Sequence, residues 1–450
     1  MSSLHSVSWY GLTHLFGRLP YWVILMGIGT YTFVVTLVST QMTTATPWLL
    51  AGCIATPPFW LIYRGEAADG VQVDPLMIAS AAFVGWCGIT LLWSPAGGEA
   101  WASWMRMCLY LAATLVTCAA MHRIDHGARR VIGWAFVAAL GVAIVAAVVD
   151  GGWNLAVRRF LMSYFGGARS DLGAVVENGW VVHLSTFETN KSISVLFSLL
   201  WPGLLIAAAL TQHHAWRLIV AAAAIVFAIA TVLSDNETVK LALVVSVLAY
   251  VVVLWRPAVT AWLLGTGWIA CTLGMLPLVL LLSTMRAQDA TAIQDSGRHR
   301  LVIWNFVSNE VLKHPVAGSG LASTRQPRET DASRAIVDLG PKGKGWVAGT
   351  AIQPHNNFLQ VWNELGGIGA VLLCLAGLAL VRDIAAVRAS IRPYYAAAFA
   401  GAAILACLQW TINSSWYIAA YALTALFLRF GAVLMEAAEG SEDQRPPTVV

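Results

Sequence analysis

The sequence predicts an all-α integral membrane protein, with about 12 transmembrane helices and a long periplasmic loop that contains amphipathic helices. Of its 450 residues, 58% are hydrophobic and 11% are charged, whereas about 25% are charged in soluble domains. Apolar windows of about 17 to 24 residues recur along the chain, each long enough to cross ~30 Å of hydrocarbon as a helix. An ordinary soluble enzyme is excluded, because the polar side chains are too few to cover a water-facing surface.

Two long polar segments interrupt the series of apolar windows and set the domain organisation. The windows lie near residues 21–38, 46–62, 76–93, 103–121, 131–149, 192–210, 217–233, 238–254, 260–283, 366–382, 394–411 and 416–435. The predicted divisions are helices 1–5 (1–149), a polar segment (150–191), helices 6–9 (192–283), a large polar loop (284–365), and helices 10–12 with a tail (366–450).

The short loops predict the orientation of the chain. One alternating set carries arginines such as Arg123, Arg256 and Arg388, whereas the opposite set, including 94–102 and 412–415, carries no Lys or Arg. The positive-inside rule then places both termini in the cytoplasm and both long polar segments outside. In a bacterium this predicts a multi-pass protein of the inner membrane, with its polar segments in the periplasm.

Charge and cysteine usage exclude several other classes. The net charge of +4 is small and dispersed, so no nucleic-acid partner is expected. All seven cysteines fall inside apolar runs, which favours small packing residues over a disulfide framework or a metal site. The cysteines thus offer no metal site, no cofactor or metal is expected, and the bilayer is the main surrounding of the chain.

A cluster of polar residues that could take part in catalysis ends the second polar segment. Residues 353–367 there read QPHNNFLQVWNELGG. Pro354 can occupy a first helical turn, and Gly366-Gly367 can end or kink the helix. His355 would then lie at the helix N-terminus, where a neutral imidazole could accept a hydroxyl proton. By spacing alone, a single histidine near an interface is more often a hydrogen-bonded structural residue than a catalytic one.

Basic side chains stand at the start of two other predicted helices. Arg298 and Arg300 head an amphipathic helix that begins near Asp295, and Lys191 begins the sixth span. Guanidinium groups at a membrane surface can bind a phosphate through two parallel hydrogen bonds. The alternative is that these side chains extend toward anionic lipid head groups.

These segments together resemble the O-antigen ligase and polymerase superfamily, polytopic membrane glycosyltransferases with a GT-C-like fold. The resemblance rests on two patterns, which are His355-Asn356-Asn357-x-Leu359 with Glu364 and Gly366, and Arg300-x-x-x-Trp304 followed by His314-Pro315-x-x-Gly318-x-Gly320. It implies that loop 284–365 is catalytic and that His355 is the essential base. It also implies diphosphate binding by Lys191, Arg298 and Arg300, with supporting roles for Asn356, Trp304 and Glu364.

The sequence departs from the superfamily pattern before the eighth span. Many members carry a Ser-Arg pair there, whereas this chain has Ser234-Asp235-Asn236-Glu237. Lys240, one turn further on, is a candidate replacement for the missing arginine. Asp235 and Glu237 lack a third ligand for a metal and are expected to cap the span instead.

The resemblance implies a reaction in lipopolysaccharide biosynthesis. A ligase would transfer a polysaccharide from undecaprenyl diphosphate to lipid A-core in a metal-independent, inverting step with His355 as general base. The short loop 411–415 favours a ligase over a protein O-oligosaccharyltransferase, and an O-antigen chain polymerase stays open. A lipid-linked glycan transporter is the alternative of another class. Carriers often place several ionisable groups at mid-membrane depth, whereas Arg106 is the one basic side chain expected deep in a span here, which argues against a transporter.

Overall fold

The computed structural model describes residues 19–64, 73–165, 174–184, 189–211, 214–290, 293, 295–325, 334–338, 344–348, 354–409 and 411–442. Helices account for most of this part of the chain. They are α1 (Tyr21–Gln41), α2 (Thr46–Arg64), α3 (Pro75–Ile89), α4 (Gly98–Ala120), α5 (His126–Gly152), α6 (Ala156–Phe165), α7 (Thr189–Leu210), α8 (His214–Leu233), α9 (Glu237–Trp255), α10 (Pro257–Thr272), α11 (Met275–Thr284), α12 (Asp295–Val311), α13 (Asn357–Ala386), α14 (Arg392–Leu408) and α15 (Ser415–Glu442).

The structure confirms an all-α, multi-pass membrane protein. Each apolar window coincides with a helix or, at 260–283, with the pair α10 and α11, which is bent by 58°. Within the described residues, 8 helices are long and apolar enough to span a membrane, or 9 if the bent pair counts as one span. Three windows are not among these spans: α8 and α14 offer only short apolar helices, and α2, which carries Pro57 and Pro58, does not meet the same standard within the described residues.

Short polar side chains start several of the long helices. The Asp74 carboxylate accepts the Met77 N–H over 2.7 Å at the start of α3, and Pro75 occupies the first turn. The Asp125 carboxylate accepts the Ala128 N–H over 2.9 Å at the start of α5. Such caps satisfy backbone donors that the first turn of a helix leaves without a partner.

Two small antiparallel hairpins occur in the polar segments and were absent from the all-α prediction. They are β1 (Val175–Glu177) with β2 (Trp180–His183), and β3 (Arg334–Asp338) with β4 (Lys344–Ala348). The first turns at Asn178-Gly179, whose φ angles are 50° and 82°. Asn-Gly favours this left-handed backbone and is a strong hairpin signal.

The chain forms two compact units, each discontinuous in sequence. The first contains residues 1–71, 112–244 and 419–450, and the second contains 72–111 and 245–418. The two units group residues that pack together in space, whereas the five predicted divisions follow membrane crossings along the chain. The units therefore do not test these divisions, which stay a prediction.

The first unit packs its helices closely around α5 and α7. Phe136 stacks on Phe427 with ring centroids 3.8 Å apart, and a Cβ at Gly203 would approach the Leu140 side chain to 2.5 Å. Most of α7 is buried. A helix that is hydrophobic on all sides is typical of the centre of a membrane bundle.

The second unit is built around the N-terminal part of α13. Phe358 and Leu359 are buried against Ile303 and Val307 of α12, and Val361 and Leu365 belong to a second hydrophobic cluster. Cys271 and Cys407 lie in contact in this unit, and all seven cysteines of the protein are free. Because nearly all residues from Asn357 to Leu365 are buried, the first turns of α13 are held at fixed positions.

Candidate functional site

His355 lies immediately before the cap of α13, in the second unit. Asn356 is the cap, and its side-chain oxygen accepts the Leu359 N–H over 2.9 Å. Pro354 was predicted to occupy the first turn, which is wrong, because the helix begins at Asn357. His355 has a φ angle of 52°, a left-handed conformation that is uncommon for residues other than glycine and that recurs at functional sites.

The imidazole of His355 is oriented by one hydrogen bond. Its Nδ1 lies 2.9 Å from the carbonyl oxygen of Gln409. Because a carbonyl oxygen can only accept, Nδ1 carries the proton and donates it. In the neutral ring Nε2 is then the unprotonated nitrogen, so it is the atom available to accept a proton.

Trp304 joins α12 to the segment that carries His355. Its indole Nε1 donates to the Pro354 carbonyl oxygen over 2.8 Å. Arg300 is one helical turn before Trp304 and therefore lies on the same face of α12. The pattern Arg300-x-x-x-Trp304 thus has a structural basis, since Trp304 fixes the register between Arg300 and the residue before His355.

Burial affects the charge state of both candidate groups. Burial lowers the pKa of His355, the hydrogen bond to Gln409 opposes this, and the positive charges of Arg300 and His299 lower the pKa further. Burial also lowers the pKa of Arg300. A neutral histidine beside a desolvated cation can accept a proton where an anionic ligand is held.

Arg300 is half-buried. Among the residues that the structure describes, no carboxylate forms an ion pair with it, and no hydrogen bond from it is found. A desolvated guanidinium is costly unless an anion neutralises it. Arg300 therefore has the properties of an anion-binding residue.

Arg298 and Lys191 are placed differently from Arg300. Arg298 is half-buried on α12, and residues two positions apart in a helix do not face the same side. Lys191 is exposed in the first turn of α7 and belongs to the first unit. The structure brings together His355, Arg300 and Trp304, whereas diphosphate binding by Arg298 and Lys191 stays a prediction.

Glu364 is fully buried in α13 and accepts four hydrogen bonds. The donors are the Ala322 N–H at 2.8 Å, Gln360 Nε2 at 2.8 Å, Asn413 Nδ2 at 3.0 Å and the Thr324 hydroxyl. This number of donors compensates the loss of water around a buried carboxylate. Glu364 is therefore the centre of a polar network inside the second unit.

A break in α13 at Gly366 explains the glycine pattern. Gly366 has φ 68° and ψ −169°, and the turn 315–320 packs against the break. Backbone hydrogen bonds from Ser319 and Gly320 reach the carbonyls of Asn363 and Glu364, and those from Gly367 and Ile368 reach the carbonyls of Pro315 and Val316. A broken helix at membrane depth needs such partners, because lipid offers none.

The segment that departs from the superfamily pattern has a structural role. Asn236 caps α9, because its side-chain oxygen accepts the Val239 N–H over 3.1 Å, while its amide donates to the Asn190 carbonyl oxygen over 2.8 Å. The expectation that Asp235 caps this helix is therefore wrong. Lys240 forms an ion pair of 2.8 Å with Glu237, so its role as a replacement arginine stays a prediction.

Several members of the network were missed at the sequence level. They are Gln360, Thr324, Gln409 and Asn413. A signal existed for Gln360, because Asn356, Gln360 and Glu364 recur every four residues and form a polar stripe on an otherwise apolar helix. In the described part of the chain, no group of three His, Cys, Asp or Glu side chains could hold a metal ion.

The fold and the site define a class of protein, a polytopic membrane protein in which a neutral histidine and a desolvated arginine meet at the start of a broken helix. Residues 221–374, less than half of the chain, match the family model described as O-antigen ligase. The resemblance to the O-antigen ligase superfamily is thereby confirmed, and the matched segment contains every candidate site residue except Lys191.

Three Rickettsia proteins that are named as polysaccharide ligases, without a stated substrate, are similar over shorter segments. The Rickettsia conorii protein is 42% identical over 85 residues, which cover 19% of this chain and 20% of the relative. The Rickettsia prowazekii protein is 33% identical over 129 residues, which cover 28% of this chain and 30% of the relative. The Rickettsia felis protein is 39% identical over 85 residues, which cover 19% of this chain and 20% of the relative. The chain thus matches less than a third of the length of these relatives.

Proposed function

We propose that this protein is an O-antigen ligase of the bacterial inner membrane, with its site facing the periplasm. It transfers a polysaccharide from undecaprenyl diphosphate to lipid A-core in lipopolysaccharide biosynthesis. The observation that carries this proposal is the pairing of His355, whose Nε2 is left to accept a proton, with Arg300, a desolvated cation on the same side of α12 as Trp304. The family match supports the same class of reaction.

The proposed reaction is a single displacement with inversion at the anomeric carbon. His355 Nε2 takes the proton of an acceptor hydroxyl while its oxygen bonds to the anomeric carbon. The bond from that carbon to the diphosphate oxygen breaks, and the electron pair leaves on the diphosphate. The base and the cation are the two groups that this step requires, since the diphosphate is already a good leaving group.

Charge on the leaving diphosphate is neutralised by Arg300 in this proposal. A guanidinium can donate two parallel hydrogen bonds to phosphate oxygens. Arg298 and Lys191 are proposed as further diphosphate contacts, and Asn356, Trp304 and Glu364 as supporting residues. The step uses no metal or cofactor.

The decisive experiment supplies purified protein with a lipid-linked glycan and lipid A-core. Joined product is expected from the wild type and from His122→Ala, which removes an exposed histidine, and it should be lost from His355→Ala. Full transfer by His355→Ala at an equal protein level would exclude the role of general base.

The same assay separates the alternatives. Elongated lipid-linked glycan without transfer to lipid A-core would indicate a chain polymerase, and glycan on an added protein acceptor would indicate a protein O-oligosaccharyltransferase. Movement of labelled lipid across liposomes without a new glycosidic bond would indicate a transporter.

A further inference from the structure

Glu364 connects two parts of the second unit that lie far apart in sequence. Its carboxylate holds the segment 318–324 through the Ala322 N–H and the Thr324 hydroxyl. It also holds the loop 409–414, which joins α14 to α15, through Asn413 Nδ2 at 3.0 Å. The carboxylate is thus a cross-link between these two segments.

Gln360 makes a second connection from Glu364 to the loop 409–414. Its amide nitrogen donates to Glu364 over 2.8 Å, and its amide oxygen accepts the Ile412 N–H over 3.2 Å. Within the loop, Asn413 N–H donates to the Thr411 hydroxyl over 3.0 Å, and Ser414 N–H donates to the Thr411 carbonyl over 3.1 Å. These bonds close a turn over residues 411–414 and fix it at Ile412 and Asn413.

The first residue of this loop, Gln409, provides the carbonyl that accepts the Nδ1 proton of His355 over 2.9 Å. Gln409 belongs to the same connection between α14 and α15 as Ile412 and Asn413, and it precedes these fixed points by three to four residues. We propose that Glu364 is a positioning residue, which holds the loop 409–414 where the Gln409 carbonyl fixes the orientation and tautomer of His355.

This inference rests on the proposed function, in which Nε2 of His355 is the base. Among the described residues, the charged and titratable groups that act on His355 are Arg300 and His299 of α12, and neither belongs to the Glu364 network. Loss of the Gln409 hydrogen bond removes an influence that raises the pKa of His355. Displacement of the loop should therefore lower the pKa of His355 and reduce the fraction of rings with the correct tautomer.

The test uses four variants of nearly unchanged shape. Glu364→Met removes the acceptor, and Asn413→Leu removes one donor on the loop side. Glu364→Gln keeps one oxygen that can accept from Gln360 and Asn413, and is the conservative rescue. Thr324→Val removes a donor on the side of segment 318–324 and is the matched control.

The main readout needs no turnover. Diethyl pyrocarbonate reacts with neutral imidazole, so the rate of carbethoxylation of His355, followed by mass spectrometry against pH, reports its pKa. In Glu364→Met and Asn413→Leu the midpoint should move to lower pH, whereas Thr324→Val and Glu364→Gln should stay close to the wild type. In transfer assays, kcat of the first two should fall on the order of 10- to 100-fold, with KM for the lipid-linked glycan changed less than about twofold.

Midpoints of Glu364→Met and Asn413→Leu equal to that of the wild type would overturn the proposal, even if activity fell. If Glu364→Met does not yield folded protein, Asn413→Leu decides alone. Full transfer by His355→Ala would instead contradict the proposed function, but it would not change the carbethoxylation midpoints of the Glu364 and Asn413 variants. The failure of one proposal can therefore be told apart from the failure of the other.

Discussion

The indole Nε1 of Trp304 and the carbonyl oxygen of Pro354 are 2.8 Å apart and form a buried hydrogen bond across 50 residues of sequence. The bond joins the helix that carries Arg300 to the residue that precedes His355. The polar loop between them includes the hairpin β3–β4. This bond, together with the packing of Phe358 and Leu359 against α12, holds the proposed base and the proposed anion-binding residue at a defined distance.

Replacing Trp304 by Phe keeps an aromatic ring but removes the donor. We expect a loss of stability of about 1 to 3 kcal/mol, because the Pro354 carbonyl would be buried without a partner. We also expect the transfer rate to fall at a temperature where the variant is still folded, so that the loss of stability does not account for the fall. Trp262→Phe, at a position that is 66% exposed, is the control and should match the wild type in both measurements.

The proposed base makes transfer depend on pH in a defined direction. His355 accepts a proton only when neutral, and its pKa lies below the ordinary value of 6.5 because of burial and the charges of Arg300 and His299. Activity should therefore persist as pH falls to 6.5 and decline only below it. A profile of kcat/KM against pH measures this limb, and a midpoint above 6.5 would contradict the assignment.

Arg300 should contribute to function at the expense of stability. Arg300→Met keeps much of the side-chain length but removes a half-buried cation for which the described residues provide no carboxylate. We expect a higher unfolding temperature together with a strong loss of transfer. The control is Arg286→Met, where the side chain is 79% exposed and pairs with Asp289.

Inorganic pyrophosphate provides a second test of Arg300. It should inhibit the wild type by competing with the lipid-linked donor, and this inhibition should weaken in Arg300→Met. Arg286→Met should be inhibited like the wild type. Equal inhibition of all three proteins would show that pyrophosphate is bound elsewhere.

Gly366→Ala should destabilise the second unit. The φ angle of 68° strains any residue with a Cβ, and that Cβ would approach the Gly318 nitrogen to 2.5 Å. Strain alone costs about 1 to 3 kcal/mol, and the contact adds to it. The unfolding temperature of the variant should fall by several degrees, whereas Gly85→Ala, where the added Cβ meets nothing within 4 Å, should leave it unchanged.

Hydropathy was sufficient to predict the helices but not how many of them cross the membrane. Apolar windows predict where a helix forms, and each window is helical. A window does not report the 58° bend between α10 and α11, because the direction of two consecutive helices depends on their packing partners. The hairpins in the polar segments are too short to give a strong periodic signal, and only the Asn178-Gly179 turn offered a signal for the first of them.

The site was predicted in part. His355, Arg300 and Trp304 could be found because their types and spacing match a known pattern, and the structure gives that pattern a geometry. Gln409 and Asn413 could not be found, because they follow a different helix and contribute through one carbonyl and one amide. A backbone carbonyl carries no residue identity, so no pattern of side chains can reveal it.

The break in α13 also has a consequence for biogenesis. A helix interrupted at Gly366 exposes backbone groups that lipid cannot satisfy, and their partners belong to the turn 315–320. That turn is synthesised before α13 leaves the ribosome. The backbone groups at the break are satisfied only when this turn, which precedes α13 in the chain, packs on it, so that assembly of the site and stable integration of α13 depend on the same contacts.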